Sequence, residues 1–129
     1  MTHNDLDQYQ QEATETAIYP GQGTPLGLVY VALKGAGEAG EFAEHVGKAL
    51  RDDNLIEADP TRPTSPGWCN ELTRHRKELL IKEIGDQLWY LAAKCNELDV
   101  NLSDVAAINL RKLRDRQSRG VLGGSGDER

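Results

Sequence analysis

Apolar residues recur at helical spacing in four stretches of the chain, separated by segments that break the pattern. The four predicted helices cover residues 4–17, 26–51, 70–98 and 103–118. Amphipathic helices joined by short and long connections predict an all-α fold, with a subunit similar to an antiparallel four-helix bundle. At 129 residues the chain is expected to form a single domain over 1–129.

The apolar faces of these helices define the expected core. The face of the second helix consists of Leu26, Val29, Leu33, Ala36, Gly40, Ala43 and Leu50. The face of the third consists of Leu72, Leu79, Leu80, Ile84, Leu88, Leu91, Cys95 and Leu98. The inner side of the fourth consists of Val105, Ile108 or Asn109, Lys112 and Leu113. Gly35 and Gly37 would alternatively end one helix so that another begins at Glu38, but the uninterrupted apolar period favours one helix.

Two segments fall outside the predicted helices. Residues 52–68 form a proline-rich loop insertion, and loops of this length are usually functional or disordered. Trp68 at its end would either anchor the loop in the core or offer a stacking surface to a flat ligand. Residues 119–129 form a glycine-rich C-terminal tail, which is either flexible or a clasp whose backbone amides cradle anions.

The amino-acid composition limits which classes of binding partner are expected. The formal net charge of −6 argues against nucleic-acid binding and against binding to an anionic membrane surface. No stretch approaches the roughly 18 apolar residues of a membrane span. Cys69 and Cys95 lack metal-ligand spacing and are expected to be free thiols in a reducing cytoplasm. Aromatic residues make up only 5% of the chain, so we expect an oligomer that buries further apolar surface.

Two pairs of carboxylates stand three residues apart beside glycines: Glu38 with Glu41, and Glu83 with Asp86. On a helix such pairs share a face, where like charges destabilise by roughly 0.2–0.5 kcal/mol. An interior glycine costs about 1 kcal/mol more. A bound divalent cation would turn the repulsion into attraction, because hard cations need several oxygen ligands. The pairs therefore predict a divalent-metal site formed by two helices.

The spacing alone is weak evidence, because Glu12 and Glu15 are spaced identically among Gln and Thr and are expected to be solvated. Glu83 and Asp86, by contrast, lie in the most apolar part of the third helix. Buried carboxylates need partners. Those partners are either a cation or salt bridges to Lys and Arg.

The fourth helix presents Asn109, Lys112 and Arg116 on one face. Such a row can bind phosphate oxygens, with the guanidinium as a fork and the ammonium as a point charge. The alternative is a solvated basic helix end, since cations are favourable at a helix C-terminus.

These residues together resemble the MazG-type pattern of the all-α nucleoside triphosphate pyrophosphohydrolases. The resemblance rests on Glu38-x-x-Glu41, on Glu83-x-x-Asp86 followed by Leu88-Trp89-Tyr90-Leu91, and on an Asn-x-x-Lys-Leu segment at residues 109–113. The Tyr19-Pro20 turn and the glycine-rich tail are most similar to small phage-encoded members. The chain departs from the pattern in two ways. Gly37 replaces an acidic residue that many members carry, and 41 residues separate Glu41 from Glu83.

The resemblance implies cleavage of a nucleoside triphosphate into the monophosphate and pyrophosphate. It implies more than one Mg²⁺ or Mn²⁺ ion held by Glu38, Glu41, Glu83 and Asp86, with Glu41 or Glu38 taking a proton from the attacking water. Asn109, Lys112 and Arg116 would contact the phosphates. It further implies a homodimer or homotetramer in the cytoplasm, that of the host if the chain is phage-encoded.

The preferred base is less well determined by the residues. Ile18, Tyr19 and Trp89 would line a base pocket, although each is more often a core residue, and the phage members point to deoxyguanosine triphosphate. Two other functions stay open. One is a non-enzymatic helical interaction protein, and the other is a carboxylate-bridged di-metal oxidase, which normally needs Glu-x-x-His on its helices.

Overall fold

The computed structural model describes residues 3–62 and 66–126. Its elements are α1 His3–Thr14, α2 Pro25–Asp52, β1 Ile56–Ala58, β2 Pro66–Cys69, α3 Arg74–Glu97 and α4 Leu102–Ser118. The predicted all-α fold with four helices is confirmed. No helix in the described ranges is both long and apolar enough to cross a membrane.

The chain divides into two units by its internal contacts. The central unit is Val29–Leu91, and the terminal unit is Met1–Leu28 together with Ala92–Arg129. The central unit holds most of α2 and α3 with both strands. The terminal unit holds α1, α4 and the ends of the two long helices.

In the terminal unit, α1 packs on α4 and caps it. The side chain of Gln10 is buried; its Nε2 donates to Asn96 Oδ1 at 2.7 Å, and its Oε1 accepts from the Leu102 backbone N–H at 2.6 Å. Asp7 accepts from the backbone N–H of Ser103 at 3.0 Å and from its hydroxyl at 2.8 Å. The open N–H groups at the start of α4 are thus satisfied by side chains from α1, whereas Asn101 at the N-cap position makes no side-chain cap bond.

The first helix ends at Thr14, three residues earlier than predicted. The Thr14 hydroxyl donates to the Gln10 carbonyl at 2.6 Å, a local bond of the kind that competes with helix continuation. The following turn is held by Glu97, which accepts from the Tyr19 hydroxyl and from the Gly23 N–H at 3.0 Å. Gly27 must be glycine here, because a β-carbon would collide with the Gly21 carbonyl oxygen and the Glu97 carboxylate.

In the central unit, α2 runs unbroken through Gly35 and Gly37, as the apolar period favoured. Contacts between α2 and α3 run from Glu38 beside Asp86 at one end to His45 beside Arg76 further along. Residue numbers rise along α2 as they fall along α3, so the two helices are antiparallel.

The predicted loop 52–68 contains a short antiparallel strand pair that the sequence analysis missed. Ile56 pairs with Cys69 and Glu57 with Trp68, with an irregularity in register after Glu57. Gly67 lies so close to the Glu57 carbonyl oxygen that any β-carbon would collide with it. Residues 63–65 of this predicted loop and 127–129 of the predicted tail lie outside the described residues.

The third helix begins at Arg74, four residues later than predicted. Asn70 extends the strand pair instead, since its N–H donates to the Leu55 carbonyl at 2.8 Å and its side chain donates to the Asn54 carbonyl at 2.8 Å. The Thr73 hydroxyl then accepts from the Arg76 N–H at 3.1 Å and caps the helix.

The predicted core faces are largely wrong. On α2 the predicted apolar face is exposed, Leu33 being 69% accessible, and the opposite face with Val31 and Ala49 is buried. On α3, Leu80 and Cys95 of the predicted stripe are buried as predicted. Four other members of the stripe are exposed: Leu72, Ile84, Leu91 and Leu98. On α4 the predicted inner side is exposed, and the buried residues are Leu102, Ser103 and Arg116. The helical period of apolar residues identifies an apolar face, but it does not show whether that face is covered by this chain or by another one.

Candidate metal centre

Three of the four predicted metal ligands come together in the central unit. Glu38 on α2 and Glu83 and Asp86 on α3 each place a carboxylate oxygen within 4.8 Å of the others. The i, i+3 spacing puts Glu83 and Asp86 on one face of α3, and the antiparallel packing brings Glu38 opposite them. We call these three residues the carboxylate cluster.

Glu83 is the buried member, with 9% of its surface exposed. Its Oε1 lies 3.4 Å from His45 Nε2, while its buried Oε2 has no hydrogen-bond partner among the described residues. A buried polar atom without a partner costs roughly 1–3 kcal/mol, and more when charged. The atom therefore marks a place where a partner from outside the chain would be stabilising.

Glu38 is half-buried, and its surroundings disfavour its charge. Burial raises the pKa of its carboxyl, and the negative charges of Glu41, Asp86 and Glu83 raise it further against the opposing effect of Lys34. A divalent cation would reverse the repulsion at once. This perturbation agrees with a cluster whose charge is not balanced by the protein itself.

Glu41, the fourth predicted ligand, is exposed and lies outside the carboxylate cluster. It still influences the cluster, because its charge is the second cause of the raised Glu38 pKa. The structure therefore separates the predicted set into three gathered carboxylates and one outside the cluster. Asp86 is also exposed, so the burial expected for it from the apolar surroundings on α3 is wrong.

Two aromatic residues of α3 follow Asp86 in the sequence. Trp89 is half-buried and meets Tyr90 edge-to-face, with ring centroids 4.9 Å apart. Burial raises the pKa of Tyr90, and the nearby Tyr30, Glu38 and Asp86 raise it further. Trp89 was predicted as a base-pocket residue and stays a prediction. Tyr90 was not predicted to have a role, although its place four residues after Asp86 puts it on the same helix face.

His45, Arg76 and Asp53 form a polar contact network that reaches Glu83 through His45. Arg76 Nε donates to Asp53 Oδ2 at 3.0 Å, and Arg76 Nη1 lies 3.4 Å from His45 Nδ1. No role in the site was predicted for any of the three, although His45 follows Glu38 and Glu41 along the same edge of the predicted helix. Arg76 and Asp53 are far apart in the sequence, so no local pattern could have paired them.

The remaining predicted residues belong to the terminal unit. On α4, Asn109 and Lys112 are exposed and Arg116 is buried, all on one helix face. Ile18 is 95% exposed, and Tyr19 is buried with its hydroxyl donating to Glu97. That bond, burial and the charge of Glu97 all raise the pKa of Tyr19. Their contact with nucleotide stays a prediction.

The donor set decides which ions fit. Three carboxylates offer only hard oxygen donors, which suit Mg²⁺ and Mn²⁺ and not the softer metals bound by Cys and His. Both ring nitrogens of His45 face other residues, Glu83 and Arg76. The di-metal oxidase alternative, which needs histidine ligands, is therefore not favoured.

Comparison with known proteins agrees with this geometry. Residues 31–121 match the MazG nucleotide pyrophosphohydrolase domain, a segment that contains the whole carboxylate cluster. The chain is also 42% identical over 127 residues to the Gene 37 protein of Mycobacterium phage L5, with 96% of this chain and 98% of the phage protein covered. Comparison with solved structures finds no significant match. The chain therefore belongs to the MazG family of nucleotide pyrophosphohydrolases, hydrolases that act on nucleotide phosphoanhydrides, and is of the phage type.

Proposed function

We propose that the protein hydrolyses a nucleoside or deoxynucleoside triphosphate to the monophosphate and pyrophosphate, using Mg²⁺ or Mn²⁺. The observation that carries this is the carboxylate cluster with the unpartnered, buried Oε2 of Glu83. In a purely structural role these carboxylates would be neutralised by Lys or Arg. The Glu83 carboxylate instead contacts His45, which does not carry a permanent charge.

Glu38, Glu83 and Asp86 would hold the cation, with Glu41 as a further ligand or as a ligand to a second ion. The bound ion would supply charge neutralisation on the polyphosphate and would acidify an attacking water. Glu41 is suited to accept the proton from that water, because it is exposed and outside the cluster. Glu38 is the second candidate for this role.

Asn109, Lys112 and Arg116 are proposed to contact the phosphates from one face of α4. Lys112 offers a flexible point charge, and Arg116, which is 4% exposed, offers a guanidinium whose field is less screened by water. Trp89, Ile18 and Tyr19 are proposed for the base. Preference for a purine deoxynucleotide follows from the phage-type resemblance alone.

We also propose that the active form is a homodimer or homotetramer in the cytoplasm, where the free thiols of Cys69 and Cys95 would stay reduced. Support comes from an exposed stripe on α2 that repeats every seven residues: Val29, Leu33, Ala36, Gly40, Ala43, Gly47 and Leu50. We call it the α2 stripe. It contains no charge, and such a repeat is typical of helix-to-helix packing between chains.

The α2 stripe is self-complementary when two copies are antiparallel about Gly40. Leu33 then lies opposite Gly47 across the two copies and Val29 lies next to Leu50, while small residues at the centre permit close approach. On α3, Ile81, Ile84 and Leu91 form a second exposed apolar surface, which would serve a dimer of dimers.

The first prediction concerns the product. Incubation with each common ribo- and deoxyribonucleoside triphosphate plus Mg²⁺ or Mn²⁺ should release phosphate only after inorganic pyrophosphatase is added. Glu83→Gln should lower kcat by about 10²–10³-fold, since metal stabilisation of the transition state amounts to several kcal/mol. Glu15→Gln, an exposed carboxylate, should leave the rate unchanged. Direct release of phosphate would exclude the proposed cleavage position.

The second prediction concerns the charge of Glu38. Its pKa is raised in the folded state, so its ionised form opposes folding; this cost is absent below the ordinary value of 4.5 and appears as the pH rises through the folded pKa. Without metal at neutral pH, Glu38→Gln should melt about 1–4 °C above wild type. With Mn²⁺ at 100 times its Kd the order should reverse, because the bound ion adds about 2.7 kcal/mol to wild type. Calorimetry at both conditions measures this, and Glu15→Gln should show no reversal.

The third prediction concerns assembly. Leu33→Lys places a charge in the middle of the α2 stripe and should convert the oligomer into monomers in sedimentation equilibrium, because an unpaired charge is costly in a buried apolar contact. Leu110→Lys, at an exposed apolar residue of α4, should leave at least a dimer. A wild-type protein that sediments as a monomer at tens of micromolar would contradict the proposed assembly.

A further inference from the structure

Four mostly buried side chains form a line of contacts that ends at the carboxylate cluster. Asp53 Oδ2 accepts from Arg76 Nε at 3.0 Å, and Arg76 Nη1 lies 3.4 Å from His45 Nδ1. His45 Nε2 lies 3.4 Å from Glu83 Oε1. None of the four side chains is more than 21% exposed. The line is thus well shielded from water along its whole length.

Arg76 fixes the tautomer of His45. A guanidinium has five N–H donors and no acceptor, so the imidazole nitrogen that faces it has to be the acceptor. His45 Nδ1 is therefore the bare nitrogen, and the ring proton is on Nε2. That nitrogen is the one directed at Glu83 Oε1. The ring can consequently donate to Glu83, whereas the other tautomer would set two lone pairs against each other.

Asp53 fixes Arg76 in turn and balances its charge. A guanidinium near the cluster without a counter-charge would repel a bound cation, and it would compete with that cation for the carboxylates. The ion pair with Asp53 makes the two side chains neutral together. The carboxylate cluster thereby keeps its negative charge for a ligand, although an arginine lies only one side chain away.

The two carboxylate oxygens of Glu83 therefore have different surroundings. Its Oε1 is engaged by His45, and its Oε2 is buried without a hydrogen-bond partner among the described residues. Because α3 fixes one end of the side chain and His45 lies 3.4 Å from Oε1 at the other, the contact favours one orientation of the carboxylate. The oxygen left over is the one available to the cluster.

We propose that His45, held in one tautomer by Arg76, is a positioning residue that orients Glu83 so that Oε2 binds the divalent cation. This inference rests on the proposed metal-dependent function. Partners that orient metal ligands in this way typically change metal affinity by about 10–100-fold when they are removed.

The test is Mn²⁺ titration by calorimetry on the full-length protein without nucleotide. His45→Leu removes the donor and should raise the Mn²⁺ Kd by about 10–100-fold. His45→Gln keeps an N–H near the position of Nε2 and should retain most of the affinity. Glu44→Gln changes the exposed neighbour that pairs with Lys48 and should bind like wild type. Glu83→Gln is the reference for loss of the ligand itself.

The outcomes separate the two proposals. Wild-type protein that does not bind Mn²⁺ overturns both of them. If Glu83→Gln loses binding but His45→Leu matches wild type, the positioning role alone is overturned. Should His45→Leu fail to fold, His45→Gln decides: near-wild-type affinity supports the donor role, and a loss as large as that of Glu83→Gln contradicts it.

Discussion

The central constraint on this protein is the repulsion among carboxylates gathered between α2 and α3. Two full charges 4.8 Å apart repel by about 3 kcal/mol at an effective dielectric constant of about 20. The cluster contains three such pairs, and water at the exposed Asp86 screens the repulsion in two of them. Either a proton or a cation must relieve it. The raised pKa of Glu38 shows that a proton is one remedy, and the divalent cation proposed above would be the other.

The surrounding scaffold makes this unfavourable arrangement possible. Antiparallel packing brings α2 and α3 together where each carries acidic residues. The ion pair between Arg76 and Asp53 stabilises this region without adding net charge next to the cluster. The terminal unit is organised differently, by neutral hydrogen bonds from Gln10 and by Glu97 at the Tyr19 turn. The carboxylate cluster itself lies in the central unit, within the segment that matches the MazG domain.

The sequence predicted the helices and the three gathered carboxylates because those depend on local period and spacing. It placed α2 through Gly35 and Gly37 correctly, and it distinguished Glu83 from Glu12 by the apolar surroundings. It failed on the strand pair, whose register depends on the contact of Gly67 with Glu57 across a gap in sequence. It also failed on the core, because an apolar stripe such as the one containing Leu33 has the same period whether it faces its own chain or another. The contact of His45 with Arg76 could not be predicted, since only the folded chain brings the two residues together.

The central claim, that Glu38, Glu83 and Asp86 together bind a divalent cation, is tested most directly by crystallography with Mn²⁺. An anomalous difference map from crystals grown with Mn²⁺ should show a peak between the three carboxylates, about 2.1–2.3 Å from Glu83 Oε2. A map without a peak there, with the same carboxylates paired to Lys or Arg side chains, would contradict the account.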